Sequence, residues 1–419
     1  MKTLIETRLK TTVAVLFLGL TAAASATAAD LRMPGDDPTI QAALDAAHFS
    51  DGNWISISPS IPGTDGGVRA AVADSSGNLY IGGDFKVVGD VIANGIAKWN
   101  GSNWSALGSG VDGGVVALAV SGSDLYVGGY FSTAGGGAAT NIAKWNGSSW
   151  SALGSGINDT VWALTVSGTN VYAGGIFTTA GGTNANSIAK WNGTHWSALG
   201  SGMNGPVLAL AVSGSDLYAG GEFTTAGDID ASHIAKWNGS SWSALGSGIG
   251  TFSFSPRSVY ALAVSGTDLY AGGYFTMAGG SAANRIAKWN GSSWSALGSG
   301  INDWLDNPPD HPPAVVALAV SGSDVYAGGA FRAAGGIEVS NIAKWNGSNW
   351  SALGSGMPGW VSALAVSGSD LYAGGNFTTA GGSEAAAIAK WNGSSWSALG
   401  SGMGDSYPPG GECAGGVGQ

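Results

Sequence analysis

The sequence predicts an all-β fold, a seven-bladed β-propeller of four-stranded antiparallel blades preceded by a short N-terminal helix. Three observations predict it. First, the segment IAKWNG recurs seven times, with its Trp at 99, 145, 191, 237, 289, 345 and 391, so that the spacings are 46, 46, 46, 52, 56 and 46. Second, another Trp follows five residues after each, and a YxGGxF segment precedes each, beginning at Tyr80, Tyr126, Tyr172, Tyr218, Tyr270, Tyr326 and Tyr372. Fourteen of the 18 tryptophans therefore belong to one pattern, which chance does not produce. Third, no part of the unit keeps helical spacing over ten or more residues. Four short strands every ~45 residues is the period of a propeller blade.

The elements follow in chain order. Lys2, Arg8 and Lys10 precede the apolar run TTVAVLFLGLTAAA and the small-residue stretch ASATAAD. This reads as an export signal over residues 1–29, cleaved after Ala26, Ala28 or Ala29. Its apolar run is too short for a bilayer span. Residues 30–50 form a leader, in which Thr39 caps a short helix with apolar Ile40, Ala43, Leu44 and Ala47 on one side. The propeller occupies 51–403. Its first segment, DGNWISIS at 51–58, matches a lone fourth strand through Trp54, and either Trp54 or Trp396 closes the ring. Residues 404–419 are a flexible Gly/Pro-rich tail. Cys413 lies there as the one cysteine, either an incidental thiol or half of an intermolecular bridge.

Each unit divides into ALAV, an SGSD turn, LYAGG, a glycine-rich loop, IAKW, an Asn-Gly turn and SSWSALG. Asn-Gly between two such runs predicts a hairpin with a two-residue type I′ turn. ALAV is nearly continuous in apolar residues because neighbouring blades cover both of its faces. The paired tryptophans read as core, and the seven lysines of IAKW as solvated side chains on an outer strand.

Sixteen Lys+Arg against 27 Asp+Glu give a net charge of −11, or −13 once residues 1–29 are removed. So acidic a chain is a poor partner for nucleic acid phosphates or an anionic membrane surface. With only 10% charged residues and 44% hydrophobic ones, it is not intrinsically disordered.

A strand ending in Tyr-x-Gly-Gly, followed by an aromatic pair ahead of a Leu, resembles the kelch type of repeat in galactose oxidase-like propellers. It is also similar to the repeats of secreted and cell-wall proteins of the fungal cortical polarity-marker type. The resemblance covers about residues 66–403. It implies seven blades around a central channel, and no single function, because this architecture carries enzymes, lectins and scaffolds alike.

The seven units can be compared with one another. The SGSD and NG turns barely change, while the second-to-third loops and the connections between blades hold the variation. Those two sets of segments lie on one face, which is the candidate binding face. The residue before the Phe of YxGGxF reads Asp84, Tyr130, Ile176, Glu222, Tyr274, Ala330 and Asn376. The residue before ALAV reads Arg69, Val116, Trp162, Leu208, Tyr260, Val316 and Ser362. Trp304, His311 and Trp360 add to the connections. From these, the ligand-binding candidates are Asp84, Tyr130, Trp162, Glu222, Tyr260, Tyr274, Trp304, Trp360 and Asn376. Rings beside carboxylates and amides suit carbohydrate, whose apolar faces stack and whose hydroxyls pair.

The four histidines occupy non-equivalent positions, and no zinc, calcium, phosphate-loop or nucleophile-elbow motif occurs. No cofactor, no metal and no catalytic set is expected. The copper site of galactose oxidase-like enzymes is ruled out by the position of Cys413. The reading is a secreted, non-catalytic binding module for a polysaccharide or cell-surface protein. Its alternatives are a structural or adhesive surface protein and a hydrolase using carboxylates such as Asp84 and Glu222. An oligomer is left open by the near-identity of the units.

Overall fold

The computed structural model describes residues 62–250, 258–302 and 313–400. The signal at 1–29, the helix within 30–50, Trp54, Trp304, His311 and the tail with Cys413 lie outside these residues. The described residues form a β-propeller of four-stranded antiparallel blades and contain no helix. None of them therefore makes a helix long and apolar enough to cross a membrane.

The described strands assemble into seven four-stranded sheets, opening at Val68, Gly114, Val161, Val207, Ser258, Ala314 and Trp360; they are numbered 1 to 7 here. In blade 2 the strands run Gly114–Ser121, Asp124–Tyr130, Ile142–Trp145 and Trp150–Ala152, from the channel outward. The outer strands are only three residues long, which limits the open edge that a propeller presents to other chains.

Two interactions repeat between each blade and the next. The indole N–H of the outer-strand Trp donates to the backbone carbonyl of the Leu that ends the preceding blade. Examples are Trp150 to Leu107 at 2.7 Å and Trp196 to Leu153 at 2.9 Å. Further in, the first Gly of the second strand leaves room for the next blade's inner-strand Val. A Cβ on Gly174 would lie 2.5 Å from Val207 Cγ1. Both interactions also run from the last blade to the first. Trp104 donates to Leu399 at 3.2 Å, and a Cβ on Gly374 would lie 2.4 Å from Val68 Cγ1. The hydrophobic clusters accordingly fill the spaces between blades, and one joins Val68, Leu79 and Phe85 to Tyr372, Ile388 and Leu399.

Trp396–Ala398 forms the outer strand of blade 7, so Trp396 fills the position for which Trp54 was the other candidate. Across the junction, Thr64 N–H donates to Ala386 O at 3.0 Å and Ala386 N–H to Pro62 O at 2.9 Å. Thr64 here replaces Val111, whose N–H donates to Asn94 O between blades 1 and 2.

Three local readings change. The Asn-Gly corner is not a two-residue type I′ turn. Only its Gly has positive φ, +97° at Gly101 and Gly147. The Asn stays out of the left-handed region because its side chain caps a four-residue loop instead: Asn146 Oδ1 accepts the N–H groups of Ser148 and Ser149. Paired positive-φ residues fall elsewhere, at Gly135–Gly136 and its equivalents in blades 3, 5, 6 and 7. These turn a two-stranded hairpin (Thr133–Ala134 with Gly137–Ala138) within the expected glycine-rich loop. The lysines, finally, are not simply solvated. Five of them pair with the Asp of the first turn, as Lys144 does with Asp124 at 3.0 Å. Each such half-exposed pair adds only ~0–1 kcal/mol. The tryptophans are core or near-core, each pair 5.1–5.5 Å apart between ring centroids.

A ring whose last junction matches the others makes a testable demand. Trp104→Phe should cost about as much stability as Trp196→Phe, roughly 1–3 kcal/mol for the orphaned carbonyl. Urea unfolding of the two variants measures this, and a negligible loss at Trp104 alone would mean an open ring.

Candidate functional site

The inner strand of every blade carries a β-bulge at one position. The register shifts between Val68 and Ala70, Val115 and Ala117, Val161 and Ala163, and likewise in the other four blades. The skipped residues are Arg69, Val116, Trp162, Leu208, Tyr260, Val316 and Ser362. Bulges re-aim side chains and cluster beside functional sites. Here they release one residue per blade from the pleat at the mouth of the channel. A cavity of about 230 Å³ there is walled by all seven inner strands, with Arg69, Trp162, Tyr260 and Ser362 among its lining residues.

Around this mouth stand the residues that end the second strands. Tyr130 of blade 2 donates its hydroxyl to Asp84 of blade 1, and Asp84 also accepts from Arg69 Nε at 2.5 Å. Burial and then the Asp84 carboxylate push the Tyr130 hydroxyl above its usual range, which keeps it a donor. A second link joins blades 5 and 4, where the fully buried Ser258 donates to Glu222 at 2.9 Å. Ser258 is in register with Tyr274, and Trp360 with Asn376. The fold thus brings Asp84 and Tyr130 into contact, sets Trp360 beside Asn376, and puts Trp162 and Tyr260 in the channel wall.

The connections between blades and the hairpins of the second-to-third loops share this side because they are bonded together. Asp112 Oδ1 accepts the N–H groups of Ser132 and Thr133, both at 2.8 Å. Asn158 and Asn204 do the same for the next two blades. Among the described residues, the six exposed large hydrophobic ones, Ile92, Tyr130, Trp162, Ile176, Ile337 and Trp360, are on this side. So are ten described carboxylates (Asp65, Asp84, Asp90, Asp112, Asp159, Glu222, Asp228, Asp230, Glu338, Glu384), against four cations, Arg69, Lys86, Arg285 and Arg332. The opposite side has six described Asp and the seven Lys of the repeat. No cluster of metal-ligating side chains occurs among the described residues.

Sequence comparison of the units had singled out the bulge column without its cause. It missed Arg69 and Ser258 as partners of the two carboxylates. It also missed the residue just ahead of each third strand, which varies as freely and was detectable in the same way.

Comparison with known proteins supports the fold. A family model described as the Rax2 C-terminal beta propeller domain matches residues 57–206. No curated protein matches the sequence. Among solved structures, the extracellular domain of BT4673 from B. thetaiotaomicron is similar at 11% identity and a TM-score of 0.50, over 79% of this chain and 39% of that one. The computationally designed Ika8 protein is similar at 16% identity and a TM-score of 0.46, over 80% of this chain and 99% of its own.

The Asp112 clamp gives a pH test. Desolvation pulls its pKa up, but the Ser132 hydroxyl and the Thr133 and Ser132 amides outweigh it and hold the carboxyl at about 2, from an ordinary 3.8. A depressed pKa means that its stabilisation is complete above the unfolded value and lost as pH falls through the folded one. Asp112→Asn, which copies blades 3 and 4, should match the parent near pH 7 and lose less stability between about pH 4 and 2. Thermal unfolding across that range measures the difference.

Proposed function

We propose that the chain is a secreted, non-catalytic, seven-bladed propeller with kelch-like repeats that holds carbohydrate on its variable face. One observation carries the reading. The exposed large apolar side chains among the described residues and the seven released bulge residues share one face, while the other repeats nearly the same polar turns from blade to blade. Scattered exposed apolar residues are ordinary on a protein surface, but a one-sided set around a channel mouth marks a binding surface.

The chemistry supports sugar as the ligand class. Trp162 and Trp360 offer rings for the C–H faces of pyranoses, and Asn376, Tyr130 and Glu222 offer polar partners at the ring edges. The excess of carboxylates disfavours uronates and sulfated glycans by repulsion and tolerates neutral ones. A non-catalytic role is supported by the state of the two candidate carboxylates. Asp84 is already engaged by Arg69 and Tyr130, and Glu222 by Ser258. The apolar run within residues 1–29 supports export.

A screen of neutral and acidic polysaccharides on the purified protein tests this. Saturable retention of a neutral glycan is expected, with Trp162→Ala and Trp360→Ala each weakening it by roughly 1–3 kcal/mol, about 5- to 150-fold. Retention unaffected by both changes would remove this face from consideration. A blank screen with folded protein would favour a protein ligand.

A further inference from the structure

Just ahead of the third strand, each blade holds one residue in the left-handed region: Gly95, Asn141, Ser187, His233, Arg285, Asn341 and Ala387. Its backbone is pinned in the same way from blade to blade. Asn141 N–H donates to Phe131 O at 2.9 Å while Asn141 O accepts from Gly129 at 3.1 Å. Ser187 makes the matching bonds with Phe177 and Gly175 at 2.8 and 3.0 Å. Only the side chain changes.

In blades 2 and 6 that side chain is an Asn, and it fills a slot between neighbouring blades. Asn141 Oδ1 accepts the Phe131 N–H at 3.2 Å, and Nδ2 donates to Ile157 O at 2.9 Å. Asn341 repeats this with Phe331 at 3.0 Å and Met357 at 2.9 Å. Ser187 is too short to do so. The corresponding groups in blade 3, the Phe177 N–H and the Met203 carbonyl, meet no hydrogen-bonding partner among the described residues. A cavity of about 490 Å³ opens at this point, walled by Ile176, Phe177, Ser187, Met203 and Pro206. In blade 1, where Gly95 is smaller still, Val111 crowds the slot, its Cγ2 lying 3.1 Å from where a Cβ would be.

Two sister blades therefore display what the blade 3 slot accepts, a planar amide with an acceptor oxygen and a donor N–H. A carboxylate has no proton for Met203 O. A lone hydroxyl has both functions on one atom and does not span the two groups as a carboxamide does. We propose that this slot binds the acetamido group of an N-acetylated hexosamine. The acetamido oxygen accepts from Phe177 N–H, its N–H donates to Met203 O, and its methyl packs on Phe177, Met203 and Pro206. The choice of a sugar rests on the carbohydrate reading above, since the cavity opens on the same face; the amide rests on blades 2 and 6.

The test uses the full chain, with N-acetylglucosamine, glucosamine and glucose as probes, read by calorimetry and by the Phe177 amide resonance. N-acetylglucosamine is expected to bind and to shift that resonance, and the other two are not. Ser187→Asn fills the slot with the residue found in blades 2 and 6. It should weaken N-acetylglucosamine binding at least tenfold while leaving the melting temperature unchanged or higher. Asn141→Ser should open a further slot and raise the number of sites by one. Equal responses to glucose and N-acetylglucosamine would overturn the amide assignment, and a response to N-acetylasparagine amide but to no sugar would overturn the sugar. If Ser187→Asn binds N-acetylglucosamine normally while Trp162→Ala abolishes glycan retention, the slot falls and the face reading stands. If Ser187→Asn abolishes binding and both Trp variants retain glycan, the slot stands and the aromatic mouth does not.

Discussion

The bond from each outer-strand tryptophan to the leucine carbonyl of the preceding blade is the constraint on which the rest of this protein depends. It acts at the rim, where blades diverge and would otherwise separate most easily. Near the channel the same pairs of blades interlock by a Val that enters the space left by a Gly, as at Val207 and Gly174. One contact sets blade spacing at the large radius and the other at the small radius. Between them the angle from blade to blade is fixed, so the ring has little freedom in its size. In six of the seven bonds the indole N–H is buried, where it needs a partner within the protein.

Residues released from this framework are the ones that differ. The bulge at Trp162 and its equivalents takes a side chain out of the pleat, so size and polarity there do not disturb the ladder on either side. The left-handed position at Ser187 is held by its own backbone bonds, which leaves its side chain equally unconstrained. Non-glycine residues there carry a conformational cost on the order of 1 kcal/mol, and the two flanking backbone bonds hold them in place. A rigid ring thus offers two sets of sockets, one at the mouth of the channel and one between blades.

Much of this was legible in the sequence because the repeat is nearly exact. The positions of Trp99 and Trp104 and of the Tyr80 segment are enough to mark the blade and its four strands. Comparing units also isolated the variable face. What was not legible depended on relations that do not repeat along the chain. Asp84 meets Arg69 fifteen residues away and Tyr130 forty-six away, and nothing local announces either contact. The Asn-Gly corners misled because the dipeptide favours type I′ geometry. Asn146 spends its side chain on capping two amides and so selects a longer loop. The spare slot at Ser187 is invisible without knowing what Asn141 does in the neighbouring blade.

The two sides of the ring differ in charge as well as in shape. Among the described residues, carboxylates outnumber cations ten to four around the channel mouth, while six Asp face seven Lys beneath it. Such a separation gives the described ring an electric dipole along the channel axis. Near a positively charged surface or polymer the protein would turn its open mouth forward before contact, and near an anionic one it would turn its lysine side. Because these charges are exposed, this orienting torque would fade over about 8–10 Å at physiological salt. At low ionic strength it reaches further, so the ring meets a cationic surface already mouth-first.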